Sequence, residues 1–469
     1  MISYDAPKPR SLITRSLAGA STRPFWLEDA QRPVFPDGPN VPTKWDLLVV
    51  GGGFTGLWAA LLAKEADPEL KVALVEGERI AWSASGRNGG FVESSLTHGQ
   101  ENGRVRWPRD FDTLERLGIE NLDQIEATVK RLKIDCDFHR TGSLNFATEP
   151  HQAEELFALD PEKIAPAKVL TAAEAQAEVN SPIYKAAWLD TRTNANVNPA
   201  KLAFGLAKAA AEAGVEIFEN TRVLGLGKDG NRVGVLTNRS TMSVGRVVLA
   251  TNVYPALLKR YRPFTVPWYD YALMTEPLSK AQLKELGWKN RQGLADLARQ
   301  FHYYRMTDDN RILFGGYDAV YYPGGRVKAR YDNRPATWEK LARHFLITYP
   351  YLEDVKFTNM WGGPIDCSTS FVAFFGRGLD GLAAHAAGFT GLGVGASRFA
   401  ARVLLDLVFG RTTELTELEM VRKLPLPFPP EPLATIGIQT AKWAADKADH
   451  EGKTNLILET LAKLKLGFV

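Results

Sequence analysis

Cysteine is nearly absent: Cys136 and Cys367 are the two in 469 residues, too few for a disulfide framework and without the paired CxxC spacing of a zinc site. So few thiols fit a reducing compartment, and the expected location is the cytoplasm. Long apolar runs are missing as well. No stretch approaches the roughly 20 consecutive apolar residues that span a bilayer, and the opening MISYDAPKPRSLITRSLAG has no continuous apolar segment of the signal-peptide kind. Charge of one sign is also scarce, since 57 Lys and Arg against 54 Asp and Glu leave a net +3. The basic residues are scattered, with no block to follow a phosphate backbone. Neither nucleic acid nor a membrane is therefore an expected partner, and no metal site is expected. What the chain does have is 45% apolar residues and 40 glycines, enough for two or three folded domains.

The glycines are not evenly placed. Leu47 to Val50 is a short apolar run of the kind that forms a strand buried on both faces. GGGFTG follows at once, with Gly51, Gly53 and Gly56 at GxGxxG spacing, then the helix-favouring LWAALLAKEA and a second strand, KVALVE, ending at Glu76. Strand, glycine turn, helix, strand and terminal acid come in the order a dinucleotide site requires. Gly51 permits the sharp turn, Gly53 the approach of backbone to pyrophosphate, and Gly56 close packing of helix on sheet. The helix N-terminus offers unpaired N–H groups to the anion, and Glu76 accepts from ribose hydroxyls.

Six residues after Glu76 comes WSASGRNGGF, Trp82 to Phe91. At the C-terminal edge of a parallel sheet this loop adjoins the cofactor. Ser83 and Ser85 can donate to phosphate oxygens, Arg87 offers a charge-assisted fork, and Gly89 and Gly90 admit a flat ring against bare backbone. Near the other end, Gly388, Gly391, Gly393 and Gly395 precede and open an apolar helix whose N-terminus favours negative charge.

GGGFTGLWAAL, the acid at Glu76, ERIAWSASGRNGG and the following SLTHGQENG resemble the FAD-dependent oxidoreductases of the D-amino-acid oxidase and glycine oxidase superfamily, above all its gamma-glutamylputrescine oxidase-like branch. The resemblance implies an FAD site that takes in Phe54, Thr55, Gly77, Ala84 and Asn88 beside the residues already named. It also implies a backbone pairing to adenine at Val223, passage of Ala250, Thr251 and Asn252 near the cofactor, and backbone contacts from Gly391, Leu392 and Gly393. The fold implied is α/β with α+β elements: a Rossmann-like FAD-binding domain and a second, antiparallel-sheet substrate domain. Residues 1–44, with Pro24 to Leu27 as anchor, form an arm. Residues 45–100, 186–260 and 366–424 form the cofactor domain, 101–185 and 261–365 the cap, and 425–469 a helical extension.

In the cap, WYDYALMTEPL and FHYYRMTDDNRILFGGYD read as aromatic strands, the second pair joined at TDDN. Alternation puts Phe301, Tyr303 and Arg305 on one face and His302, Tyr304 and Met306 on the other. His98, Tyr303 and Trp361 are the candidates at the reacting centre, and Asn102, Arg305 and Asp366 for binding substrate. Glycine-oxidase-like members carry a carboxylate-gripping arginine where this chain reads WGGPID, with Pro364 and Ile365. The expected reaction is hydride transfer from the C–N bond of a primary or secondary amine to noncovalently bound FAD, with imine hydrolysis and O2 as acceptor. Covalent attachment through Cys367, dehydrogenation of a hydroxy acid, and a noncatalytic flavin-binding subunit stand as alternatives.

Overall fold

The computed structural model describes residues 2–164 and 166–467. Two large sheets organise the chain. The first runs in the order Phe374–Gly378, Ala383–Ala387, Thr241–Leu249, Thr43–Val50, Val72–Val75, Glu216–Phe218. Neighbours along this order are parallel apart from the Phe374–Gly378 edge, and Arg232–Thr237 and Val223–Asp229 branch from Thr241–Leu249 in antiparallel pairs. Alternation within the apolar runs explains the layering, because successive side chains point to opposite faces. Leu47, Val49, Val72 and Leu74 pack beneath the helices Phe54–Ala66, Pro199–Glu212 and Gly393–Phe409. Leu48, Val50, Ala73 and Val75 pack with Val233, Val235 and Met242, from or beside an antiparallel meander built on Val223–Asp229 and Arg232–Thr237. A strand covered on both sides has no polar face, which is why WDLLVV and KVALVE read as continuous apolar runs. Asn198 caps its helix by accepting from the Lys201 amide at 3.1 Å, and Pro199 fills the first turn.

The second sheet runs Phe357–Cys367, Val266–Thr275, Ile312–Gly316, His302–Met306, Gly293–Asp296, Ser143–Ala147, Ala186–Asp190, Lys168–Thr171. Its pairs are antiparallel except Gly293–Asp296 with Ser143–Ala147. Ala186–Asp190 lies here, although the sequence assigns residues from 186 onward to the other unit. One face packs against the helix Pro335–Thr348 through Tyr271, Leu273, Tyr304, Phe314, Trp338, Leu341 and Phe345. The opposite face turns toward the first sheet. A two-stranded ribbon, Phe91–Glu93 with Asn194–Asn196, stands between them. Among the described residues no helix is long and apolar enough to cross a membrane.

The N-terminal arm is pinned at two points. Trp26 is buried and donates from Nε1 to the Asn88 carbonyl at 2.9 Å. Tyr4 is buried in the second sheet, where its hydroxyl donates to Asp296 Oδ2 at 3.0 Å. The same carboxylate oxygen meets His302 Nδ1 at 2.6 Å, and His302 Nε2 meets His344 Nδ1 at 2.9 Å. Burial pushes His344 well below the ordinary histidine range, so it adds no cation to this cluster. Tyr4→Phe removes one donor from a buried carboxylate and is expected to cost about 1–2 kcal/mol, read as a lower urea midpoint. An unchanged midpoint would show that only the ring's burial matters.

Candidate functional site

The parallel strands of the first sheet all end on one cavity of about 1050 Å3, lined by Val50, Val75, Ala250 and the turn Thr390 to Gly393. From there it reaches Asp270, Tyr303 and Trp361 on the second sheet and Ala441, Leu458 and Leu461 in the C-terminal helices Leu433–Glu451 and Leu456–Lys463. Ligand pockets commonly hold roughly 300–1,000 Å3, so this one suits a dinucleotide with a substrate beside it.

Gly51 has φ +115, and a Cβ there would lie 2.4 Å from the Ala250 carbonyl oxygen. No side chain fits that turn. A Cβ at Gly56 would lie 1.9 Å from the Gly51 oxygen, so Gly56 keeps the helix against the turn and does not itself reach the cavity. Glu76 is held by two amides, Gly52 N to Oε2 at 2.7 Å and Glu78 N to Oε1 at 2.9 Å. Burial raises its carboxyl above the usual range.

The SASGRNGG loop is organised differently from the sequence expectation. Ser85 Oγ accepts from the Phe54 amide at 3.0 Å, so it serves the first turn of the glycine-turn helix. Asn88 braces the loop, donating to the Ala84 and Ser85 carbonyls and accepting from Gly90 N. Arg87, expected as a phosphate fork, instead pairs with Asp332 at 2.6 Å and donates to the Trp82 and Gly362 carbonyls. Its guanidinium also lies 5.0 Å from the Trp82 ring centre. The flat ring that Gly89 admits is the protein's own: a Cβ there would lie 2.8 Å from the Tyr303 ring. Trp361 Nε1 completes the junction by donating to the Arg87 carbonyl at 2.9 Å.

Of the candidate cofactor and substrate residues, Gly56, Gly90, Asn102 and Arg305 do not line the cavity and the others do; of the four C-terminal glycines, Gly391 and Gly393 line it and Gly388 and Gly395 do not. Arg305 shares its strand face with Tyr303 but lies beyond the cavity, where its guanidinium donates to the Val197 and Gly90 carbonyls and sits 5.6 Å from the Trp26 ring centre. It clamps backbone and does not meet substrate. Asn102 ties the Thr97 and Ser370 carbonyls together and accepts from Arg106. Asp366, a candidate for binding substrate, spends Oδ2 on the Gly388 amide at 2.6 Å and supports the glycine turn.

His98 has φ +59, and its Nδ1 lies 3.1 Å from the Phe371 carbonyl. A carbonyl only accepts, so Nδ1 carries the proton and Nε2 is the basic nitrogen. Burial lowers its pKa, which keeps the ring neutral. Tyr303 donates to Asp270 Oδ2 at 2.7 Å, and burial pushes Asp270 up to about 6. Asp270 and Trp268 went unnoticed in the sequence, although alternation along WYDYA puts both on one face. Cys367 is buried, and its thiol is pushed well above the ordinary range.

A parallel sheet whose strand ends cradle a nucleotide-sized cavity, closed by an antiparallel sheet, defines a dinucleotide-dependent redox enzyme. The chain belongs to the DAO family, FAD-dependent oxidoreductases, whose pattern matches residues 46–407. It is 30% identical over 407 residues to the gamma-glutamylputrescine oxidoreductase of Escherichia coli, covering 83% of this chain and 90% of that one. It is 27% identical over 393 residues to a probable oxidoreductase OrdL of Haemophilus influenzae, covering 80% and 85%. In fold it resembles glycine oxidase from Geobacillus kaustophilus, with TM-score 0.67 and 20% identity, covering 81% of this chain and 100% of that one.

The residues fit FAD. Gly51 and Gly53 bare the backbone at the helix N-terminus, and four buried polar atoms on the wall, Ser83 Oγ, Thr251 Oγ1, Asn252 Oδ1 and Trp268 Nε1, have no hydrogen-bond partner among the described residues. An unmet buried polar group costs about 1–3 kcal/mol, so this wall is complete only with a polar ligand against it. Gly51→Ala is expected to cut retained flavin at least about tenfold, a loss of roughly 1.4 kcal/mol in binding, read from visible absorbance of the purified protein; undiminished colour would remove Gly51 from the cradle. A second expectation concerns pH. Burial raises Asp366 from 3.8 to about 7, so between those values the folded chain binds more protons here than the unfolded one. Stability then falls as pH rises from about 4 to about 7 and levels off above. Asp366→Asn keeps an acceptor for Gly388, and its advantage over wild type in urea melts should grow across that window. Parallel curves would assign the proton elsewhere.

Proposed function

We propose that this protein oxidises the C–N bond of a primary or secondary amine, with noncovalent FAD as the immediate acceptor and O2 as the final one. One observation carries the choice of amine over α-amino acid or hydroxy acid. Each cationic side chain on the cavity wall is already engaged: Arg87 with Asp332, Arg222 with Glu78, Arg299 with Asp449 and Lys442 with Asp318. Among the described residues no lysine or arginine on this wall is left to grip a substrate carboxylate, in keeping with Pro364 and Ile365 where glycine-oxidase-like members place an arginine.

FAD, when bound, supplies the two-electron sink that takes the hydride from the substrate's α-carbon. The protein's part is to bind, orient and handle protons. Gly391, Leu392 and Gly393 open a 17-residue helix whose N-terminal dipole favours negative charge beside it. Tyr303, fixed by Asp270 and packed on Gly89, forms a rigid floor with Trp361. His98 Nε2 takes the proton that the substrate ammonium must release before oxidation. Water then hydrolyses the product imine. The buried, protonated Cys367 thiol is a poor nucleophile, which supports noncovalent FAD.

The test is anaerobic mixing of the yellow protein with amines, α-amino acids and hydroxy acids while following flavin absorbance. Bleaching by amines is the expected outcome, with hydrogen peroxide formed on admitting air. Bleaching by hydroxy acids alone would overturn the assignment, and a flavin that no compound reduces would point to a binding subunit.

A further inference from the structure

The cavity wall also carries Glu93, a residue to which the mechanism above gives no task. It closes the short strand Phe91–Glu93 that continues directly from the glycine loop, pairing with Asn194 across the ribbon. Its backbone is fixed against the first turn of the helix Gly393–Phe409, because a Cβ at Gly395 would lie 2.1 Å from the Glu93 carbonyl oxygen. The main chain is thus held in place without help from the carboxylate. The side chain opens into the cavity and is exposed to it, and the protein mass around the cavity raises its pKa.

The other acids on the wall have partners. Glu76 accepts from two amides, Glu78 pairs with Arg222, Asp270 accepts from Tyr303, and Asp366 accepts from Gly388. Glu459 has no such partner either, but it stands on the last helix, Leu456–Lys463, away from the glycine loop. Among the described residues Glu93 and Glu459 are the acids on this wall with neither a hydrogen bond nor an ion pair, and Glu93 is the one beside the first turn of the helix Gly393–Phe409. A carboxylate that a bound ligand closes off from water is costly unless that ligand brings a cation to meet it.

We infer that Glu93 is a specificity-determining residue that receives the ammonium group of the substrate and repels substrates carrying a carboxylate at that position. The inference rests on the amine reading above and adds the group that selects for it. Where a pocket for α-amino acids needs a cation, this pocket has all its cations engaged and one anion exposed to the ligand. An ammonium donating to Glu93 makes a charge-assisted hydrogen bond of about 2.7–2.9 Å, and a carboxylate in its place meets like charge in a medium of low polarity.

The experiment titrates the flavin-loaded protein without oxygen with 1-aminobutane, pentanoate and norvaline, which carry an ammonium, a carboxylate and both. Perturbation of the flavin spectrum reports binding, and its loss reports oxidation. In the wild type 1-aminobutane should bind more tightly than norvaline, and pentanoate least. Glu93→Gln should weaken 1-aminobutane about tenfold, the scale of a lost charged partner, narrow its advantage over norvaline, and leave flavin content unchanged. Glu93→Asp should preserve the order, and Glu93→Lys should reverse it. Unaltered 1-aminobutane affinity in Glu93→Gln overturns the inference, as does a wild-type flavin that 1-aminobutane does not perturb, or loss of flavin from Glu93→Gln but not Glu93→Asp. Binding that depends on Glu93 without flavin reduction would sink amine oxidation and leave this inference standing; reduction by amines with Glu93→Gln unaffected would do the reverse.

Discussion

The width of the cavity is set by bare backbone meeting aromatic rings. At Gly89 the main chain of the first unit lies against the Tyr303 ring of the second sheet, and nothing larger than hydrogen fits between. Around that contact stand Trp361 on the Arg87 carbonyl, Arg87 on Asp332, and Arg305 on the carbonyls of Gly90 and Val197. Each is a directional bond from a stiff or buried side chain to backbone or a carboxylate, so the two sheets hold a fixed separation. A loop that looked built for phosphate turns out also to be the joint between sheets.

The arrangement explains the electrostatics of the interior. Cations near the cavity are committed to structure, mostly joining segments distant in sequence, and little positive charge is left for small anions. The acids are tuned by their surroundings: Asp270 rises to about 6 under burial moderated by Tyr303 and an amide, and Asp366 to about 7 in a tighter enclosure. Such an interior suits the proposed amine, and at the glycine turn backbone amides and a helix dipole can meet an anion without a charged side chain.

Much of this was legible in sequence because it is local. A strand, a glycine turn and a helix follow one another within twenty residues, so GGGFTG and its flanking apolar runs announce both the sheet and the cradle. Alternation separated the Tyr303 face from the His302 face, but it carries no label for which face meets the cavity; the choice falls to the helix Pro335–Thr348, which packs on the other side. The misplacements share a cause. Arg87 looks like a ligand for phosphate until Asp332 arrives from 245 residues away, and Arg305 like a substrate contact until the turn at Gly90 folds over it. Pairings at that separation leave no periodic trace. Glu93 was passed over for the opposite reason, since it sits just past a motif whose glycines drew the reading.

The two C-terminal helices add a wall to the cavity from outside the span 46–407 that defines the family. The strands that cradle the nucleotide and the helices that bound the far end of the pocket are therefore separate stretches of polypeptide. Drift in one need not accompany drift in the other, and a library confined to residues 433–463 would vary that wall while leaving the span shared with the family untouched.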